Sequence, residues 1–236
     1  MALTIKQRVL LFSVVIAVMV SFLLFFYMAP IQIKVPKIQG ITLKNSKILA
    51  NFLLTDHLGH PVRRKYFLGQ WHFIAYGYTH CPDICPTTLF TLSQVADLIT
   101  TANHNHNTMF IFYSVDPNRD SQKVLAQYIN YFSKQFVAVR ADTTVDAEIF
   151  QQSLGIKVDI DINRAEGGEG VESVNGDSNS SNYQVSHGLA IYLINPDAEL
   201  QAVFLPEVTE LGMTAFDSEE IFKDYLRVIK YYQKRK

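Results

Sequence analysis

Residues 72–88 read HFIAYGYTHCPDICPTT and contain both cysteines of the 236-residue chain, Cys81 and Cys85. The nearly continuous apolar run at residues 72–78 predicts a strand that is covered on both faces. From Pro86 onward, apolar residues recur on one helical stripe, and a proline is acceptable in the first turn of a helix. The cysteines therefore lie in a loop that leads from a central strand into a helix.

Strands and helices alternate on both sides of this loop. Strands are predicted at residues 109–116 and 136–141, helices at residues 122–132 and 145–154, and a closing hairpin at residues 188–206. Before the loop, FLLTD and the turn-like HLGHP predict a further hairpin, and Ser218 is predicted to cap the last helix. This alternation predicts an α/β fold with parallel central strands and a closing antiparallel hairpin.

The N-terminus carries a different kind of segment. Residues 9–28 contain no charge and, at about 1.5 Å per residue, are long enough to cross a hydrocarbon core of about 30 Å. Bulky residues precede Ala29, where a signal peptidase would require small ones, so a retained signal anchor is predicted. Residues 1–8 form its flank. Lys6 and Arg8 are nearly balanced by basic residues beyond the span, which leaves the orientation undecided.

The remaining chain is long enough for one ordinary domain, predicted at residues 48–236. Residues 29–47 contain prolines and a glycine without a sustained period and predict a linker. Residues 159–182 are rich in Gly, Ser, Asn and acids and predict a mobile loop insertion, in preference to an acidic docking surface. The formal net charge of −1 gives no general attraction to nucleic acid, so no nucleic-acid partner is expected.

Two thiols four residues apart have two uses: they can form a disulfide or bind one metal ion. The spacing is one residue longer than the C-x-x-C of thioredoxin-type oxidoreductases, which weakens that interpretation without excluding it. Two thiolates and a third ligand suit Cu(I), whereas structural zinc takes four protein ligands and the chain has no further cysteine.

A histidine nitrogen would complete such a site. His57, His60 and His72 are interpreted as ordinary surface or core residues, and His104 and His106 as residues of a solvated polar loop. His80 adjoins Cys81, but neighbouring residues on an extended backbone usually point apart. His187 immediately precedes the predicted strand at residues 188–195. Since sites in α/β sheets form at strand ends, His187 is a candidate partner of the cysteine loop.

Three blocks in the chain are similar to the SCO/SenC family of copper-binding assembly factors for cytochrome c oxidase. They are YGYTHCPDICPTTL, FYSVDPNRDSQKVLAQYI and YQVSHGLAIYLINPDAEL, in the family's order. The resemblance implies an α/β thioredoxin-like fold, here with an N-terminal hairpin extension, preceded by one transmembrane helix. It also implies a position in the inner (cytoplasmic) membrane with the domain facing the periplasm, or in the mitochondrial inner membrane if the source is eukaryotic.

By motif, the family's copper ligands correspond to Cys81, Cys85 and His187. The resemblance implies that one copper ion binds to each chain as Cu(I), and it leaves open whether Cu(II) also binds. The family usually reads V-D-H-S around the histidine, whereas this chain reads V-S-H-G, and Ser186 supplies no charge there. Two acids also match family positions: Asp83 is interpreted as a loop former and Asp116 as a turn residue.

The resemblance implies a copper metallochaperone for the binuclear copper site of an oxidase subunit. Its expected partners are that subunit, a thiol reductant, an upstream copper donor and the membrane. The alternative is a thiol-disulfide reductase with Cys81 as the attacking thiol and Cys85 as the resolving thiol. A redox or copper sensor has less support, because no signalling segment is evident.

Overall fold

The computed structural model describes residues 5–28, 33–102, 107–161, 184–208 and 214–236. The chain divides into two compact units, Met1–Lys34 and Val35–Lys236. His104, His106 and most of the predicted insertion at residues 159–182 lie outside the described residues.

The first unit contains helix α1, Ile5–Met28. Its segment Ile5–Phe25 has a mean hydropathy of 2.6 and none of it is buried. Within the described ranges, it is the one helix that is long and apolar enough to cross a membrane. Helix α1 begins before the predicted span at residues 9–28, and both the helix and the predicted span end at Met28.

The second unit is an α/β domain. Its elements, in chain order, are β1 Gly40–Ile48, β2 Leu53–Asp56, β3 Pro61–Arg63, a 3₁₀ turn Arg64–Phe67, β4 Trp71–Gly77, α2 Ile84–Thr101, β5 Thr108–Ser114, α3 Gln122–Phe132, β6 Phe136–Ala141, α4 Thr144–Leu154, β7 Val158–Asp161, β8 Gln184–His187, β9 Ile191–Asn195, β10 Glu199–Phe204, β11 Glu207–Val208, β12 Thr214–Ala215 and α5 Ser218–Arg235.

Eight strands form one sheet in the order β1-β10-β9-β4-β5-β6-β2-β3. The central strands β4, β5 and β6 are parallel, while the β9–β10 and β2–β3 hairpins are antiparallel. This confirms the predicted α/β class, its parallel centre and both hairpins. Strands β7 and β8 form a separate antiparallel pair, so residues 159–161 of the predicted loop insertion belong to a strand.

The segment that the sequence places in a linker, residues 29–47, contains most of strand β1. Gly40 pairs with Phe204 of β10 at the edge of the sheet. An added Cβ at Gly40 would lie 2.1 Å from the carbonyl oxygen of Val203, and φ is +134°, so this register requires glycine. An edge strand without a buried side chain has too weak a pattern to be recognised from hydrophobicity.

Strand β4 is buried along its whole length. Ile74 and Tyr76 belong to the core on one face of the sheet, with residues of α4 and β2. Phe73 and Ala75 belong to the core on the other face, with residues of α2, α3 and α5. Because both faces are covered, the sequence of this strand is almost continuously apolar, as predicted.

Capping residues mark the ends of three helices. Ser121 accepts a hydrogen bond from the backbone of Val124 at the start of α3, and Gly155 is left-handed (φ 79°) at the end of α4. At α5 the prediction is wrong by one residue. Asp217, and not Ser218, accepts the hydrogen bond from the backbone of Glu220, at 2.8 Å. A carboxylate at this position also interacts favourably with the helix dipole.

We expect the buried side chain of His72 to make the stability of the domain sensitive to acid. The side chain is fully buried beside Tyr66 and Phe67, and neither ring nitrogen has a hydrogen-bond partner among the described residues. Burial lowers the pKa of His72 to about 4, and the nearby backbone of Gln70 opposes only part of this shift. The unfolded chain therefore binds a proton below about pH 6.5 that the folded chain binds only near pH 4.

We expect stability to fall by about 3 kcal/mol from this group alone as the pH drops from about 6.5 to 4. Replacing His72 with leucine should remove this contribution and flatten the pH profile. Urea unfolding at several pH values measures the effect. A variant that retains the wild-type slope between these pH values would show that His72 is not its source.

Candidate metal centre

The loop between β4 and α2 holds both cysteines. The backbone N–H of Cys81 donates to the carbonyl of Tyr78 (3.2 Å), which closes a turn directly after the strand. Helix α2 begins at Ile84, two residues before the predicted start at Pro86, so Cys85 lies in its first turn. The structure thus places the two cysteines where the sequence predicts them, between a central strand and a helix start.

The start of α2 brings the two cysteines together. The backbone N–H of Cys85 donates to Sγ of Cys81, at 3.4 Å. Asp83 occupies the N-cap position but makes no side-chain capping hydrogen bond, so the sulfur of Cys81 accepts in its place. An N–H group and the positive end of a helix dipole both favour negative charge on that sulfur.

The two thiols differ in exposure. Cys81 is partly exposed, whereas Cys85 is only 3% exposed, and the two are not joined by a disulfide bond. The hydrogen bond with Cys81, and then burial, raise the pKa of Cys85 above its ordinary value. Cys81 is therefore the thiol that a partner molecule reaches first, and Cys85 is held behind it.

Gly77, the last residue of β4, makes room for the buried thiol. An added Cβ at this position would lie 2.4 Å from Sγ of Cys85 and 3.4 Å from the ring of Phe112. Glycine inside a strand often marks such a close approach. The sulfur of Cys85 therefore packs directly against the backbone of the central strand.

A buried carboxylate fixes the start of the loop. Asp120 has no exposed surface and accepts hydrogen bonds from the backbone N–H of Thr79 (3.1 Å), from its hydroxyl (2.6 Å) and from the hydroxyl of Ser114 (2.6 Å). Burial raises the pKa of Asp120, and the hydrogen bonds from Ser114 and Thr79 oppose this shift. Asp120 thereby joins the cysteine loop to the end of β5.

His80 lies on the outer side of the same cluster. Its side chain is 59% exposed, and its Nδ1 is 3.1 Å from the hydroxyl of Thr79 and 4.0 Å from the carboxylate of Asp120. These contacts hold the ring next to Thr79. His80 is therefore a largely exposed histidine at the edge of the cysteine loop.

The two acidic residues that match family positions, Asp83 and Asp116, both make hydrogen bonds at the ends of loops. The backbone carbonyl of Asp83 accepts from the hydroxyl of Thr87. Asp116 is buried, its carbonyl accepts from the N–H of Asp120, and its carboxylate pairs with Arg119. The guanidinium of Arg119 in turn lies 5.4 Å from the ring centre of Tyr78. Asp116 is a turn residue after β5, as predicted.

The structure describes the backbone of His187, but not its side chain. His187 ends β8 and lies opposite Val158 in β7. The next residue, Gly188, lies beside the side chain of Tyr76, since an added Cβ would be 3.2 Å from the hydroxyl oxygen of that tyrosine. Strand β9, which begins three residues later, pairs antiparallel with β4, with Ile191 opposite Ala75. Tyr76 directly precedes Gly77, which contacts Cys85. The backbone that carries His187 therefore runs beside the strand end that carries the cysteine loop.

Two further histidines, His57 and His60, have structural partners. Nδ1 of His57 accepts from the backbone of Ala138 (3.2 Å), and His60 pairs with Asp56 (3.1 Å). Among the described side chains, which exclude that of His187, no three His, Cys, Asp or Glu residues are grouped closely enough to bind a metal.

Sequence reasoning did not single out Asp120, Thr79, Ser114 or Gly77. The sequence contains a signal for Asp120. The stretch DPNRD, which ends at Asp120, follows β5, and β5 is the parallel neighbour of β4. The carboxyl ends of adjacent parallel strands meet at the same edge of a sheet, so this stretch lies near the cysteine loop. The interior glycine in HFIAYGY is a second signal.

Known proteins resemble this chain in sequence and fold. The human mitochondrial protein "SCO1 homolog" is 33% identical over 153 residues, which are 65% of this chain and 46% of that protein. The match thus spans about half the length of this curated relative. Copper-bound ScoI of Bradyrhizobium japonicum is 28% identical with a TM-score of 0.56, and covers 77% of this chain and 99% of its own.

A second solved structure, Arabidopsis thaliana ScoI with copper bound, has a TM-score of 0.61. It covers 78% of this chain and 98% of its own, and at 23% identity it supports the fold alone. The sequence profile of the SCO1/SenC family matches residues 41–216, which is most of the second unit. From the fold, the cysteine loop and this match, we conclude that the chain belongs to the SCO1/SenC family.

Proposed function

We propose that the protein is a membrane-anchored copper metallochaperone that binds one copper ion through Cys81, Cys85 and His187. It delivers the ion to the binuclear copper site of a cytochrome c oxidase subunit. The observation that carries this proposal is the hydrogen bond from the N–H of Cys85 to Sγ of Cys81, because it holds two soft ligands together at a helix start.

The donor set suits copper. Two thiolates and an imidazole are the ligands that Cu(I) accepts at low coordination number. Partial exposure of Cys81 gives an incoming copper donor or acceptor access to one sulfur, while Cys85 is enclosed. The proximity of Gly188 to Tyr76 supports a position for His187 near the two sulfurs, and the family resemblance implies the same ligand.

Cu(I) titration of the reduced full-length chain in detergent, against a competing chelator, tests this function. We expect one Cu(I) per chain and a loss of affinity of at least about 100-fold in His187→Ala, because even outer partners of a metal ligand typically contribute about 10- to 100-fold. His60→Ala, which removes an exposed histidine bound to Asp56, should leave the affinity unchanged.

Two results would contradict the proposal at different levels. Wild-type affinity in His187→Ala would refute the three-ligand site but leave copper binding by the cysteines intact. A wild-type chain that binds no Cu(I) would refute the chaperone function.

The difference in exposure also favours a second candidate function, thiol-disulfide reduction of the oxidase subunit. In that reaction the thiolate of Cys81 attacks a partner disulfide, forms a mixed disulfide and releases one partner thiolate. Cys85 then displaces the second partner thiolate, which leaves a Cys81–Cys85 disulfide and a reduced partner. Fast reduction of a peptide disulfide by a chain that binds no Cu(I) would favour this function.

We further propose that α1 anchors the chain in the inner membrane with the second unit on the periplasmic side, or in the intermembrane space if the source is eukaryotic. A reporter fused after Lys236 distinguishes the two orientations. Activity of a reporter that works only in the cytoplasm would contradict the proposed one.

A further inference from the structure

Gly188, the residue after His187, is a glycine that its backbone conformation does not require. Four glycines in the described part of the chain have a left-handed φ: Gly40, Gly59, Gly69 and Gly155. Gly188 is not among them, so a residue with a side chain could adopt its backbone conformation. The obstacle is a contact instead, because an added Cβ would lie 3.2 Å from the hydroxyl oxygen of Tyr76, which is tighter than most Cβ contacts in proteins.

The side chain of Tyr76 has little freedom to move away from such a Cβ. It is 7% exposed and belongs to the core on the face of the sheet that α4 covers. Its hydroxyl is hydrogen-bonded to that of Tyr192 on the paired strand β9, and the two ring centres are 5.7 Å apart. Gly188 is exposed. A side chain at position 188 would therefore displace the backbone there and leave the tyrosine in place.

The displaced backbone would be that of the histidine segment, residues 184–190. His187 pairs with Val158, which packs against the same core as Tyr76, and Ala190 is buried in that core. Cys81 packs against this core as well. The contact with Tyr76 thus lies between two points where the histidine segment is held, and a shift at Gly188 would be passed to His187.

We propose that Tyr76 and Gly188 form a matched pair that positions the proposed ligand His187. The tyrosine hydroxyl sets how closely the histidine segment approaches the sheet, and the lack of a side chain at position 188 permits that approach. Tyr76 is thus a positioning residue of the copper site. The inference rests on the proposed function, because it concerns the backbone that carries the third ligand.

A double-mutant cycle tests the pair, with Cu(I) as the probe, the reduced full-length chain in detergent and a competing chelator. Gly188→Ala adds only the Cβ, and we expect it to weaken Cu(I) affinity by about 10-fold, because residues that orient a ligand typically contribute about 10- to 100-fold. Tyr76→Phe removes the oxygen that this Cβ would meet. In the Tyr76→Phe background, Gly188→Ala should therefore have almost no effect on affinity.

Tyr113→Phe is the matched control for Tyr76→Phe. It also removes a buried hydroxyl that has a partner, Gln151, and it lies opposite Tyr76 on the neighbouring strand β5. In this background Gly188→Ala should still weaken Cu(I) affinity by about 10-fold, since the hydroxyl of Tyr76 is present.

Hydrogen exchange of the copper-free chain supplies a readout that does not depend on the metal. Gly188→Ala should speed exchange of the backbone amides of the histidine segment and leave those of β4 and β5 at their wild-type rates. In the Tyr76→Phe background, Gly188→Ala should not speed exchange in the histidine segment any further.

Three results would each overturn the inference. They are wild-type Cu(I) affinity in Gly188→Ala, a loss of affinity that is as large in the Tyr76→Phe background as without it, and faster exchange of β4 and β5 together with the histidine segment. Each of them leaves the proposed function intact if the wild-type chain binds Cu(I). A wild-type chain that binds no Cu(I) overturns both the proposed function and the role of the pair toward copper.

Discussion

Replacing Gly77 with alanine is expected to disrupt both the domain and the site. The new Cβ would lie 2.4 Å from Sγ of Cys85, with the ring of Phe112 at 3.4 Å, so the sulfur or the strand must move. Overpacking of this kind typically costs about 1–3 kcal/mol, and here the displaced atom is itself a proposed ligand. We expect a loss near the top of that range and Cu(I) affinity at least about 10-fold weaker, since ligand geometry is lost.

Gly155→Ala is the matched control for this variant. Its Cβ meets no atom within 4 Å, but its φ of +79° makes alanine unfavourable by about 1–2 kcal/mol. Urea unfolding and Cu(I) titration should show a stability loss in both variants and an affinity loss in Gly77→Ala alone. Normal affinity in Gly77→Ala would show that Cys85 has room to move without harm to the site.

Replacing Asp120 with alanine should have the largest effect on stability. The change leaves the backbone N–H of Thr79 and the hydroxyl of Ser114 without their acceptor in a buried place. At about 1–3 kcal/mol for each unpaired group, the free energy of unfolding should fall by about 3 kcal/mol or more. Asp120→Asn keeps one oxygen acceptor and the side-chain size, so we expect a smaller loss.

The control for Asp120 is Asp142→Ala. Asp142 is 47% exposed and bonded to Arg140, and exposed ion pairs contribute about 0–1 kcal/mol. Urea unfolding of the three variants at pH 7 measures the differences. A loss in Asp120→Ala no larger than that in Asp142→Ala would mean that the carboxylate does not hold the cysteine loop in place.

Much of the fold is predictable from local sequence. The strand at HFIAYGY, the helix that receives Cys85 and the caps at Ser121 and Gly155 all follow from apolar periodicity and from residues with strong positional preferences. Each of these signals is contained within a few residues, where burial on one or both faces leaves a regular pattern.

Features that depend on distant partners were not predictable. Strand β1 exists because β10 offers it an edge, and its own residues are mostly exposed. Asp120 can bind the start of the cysteine loop because the ends of β4 and β5 lie side by side, and this follows only from the parallel register of the two strands. The assignment of His187 as a ligand came from family resemblance. Its side chain lies outside the described ones, so its role remains a prediction that the His187→Ala titration addresses.

The strand order also bears on how the molecule assembles during folding. Cys85 packs against Gly77, and Phe112 flanks the same glycine. The elements that carry these residues, β4, α2 and β5, are consecutive in the chain. The other neighbour of β4 is β9, which follows more than a hundred residues later, just after the strand that bears His187. Contacts that close short loops form sooner than those that close long ones. The two thiols should therefore be brought together early in folding, and the segment with the histidine should dock last.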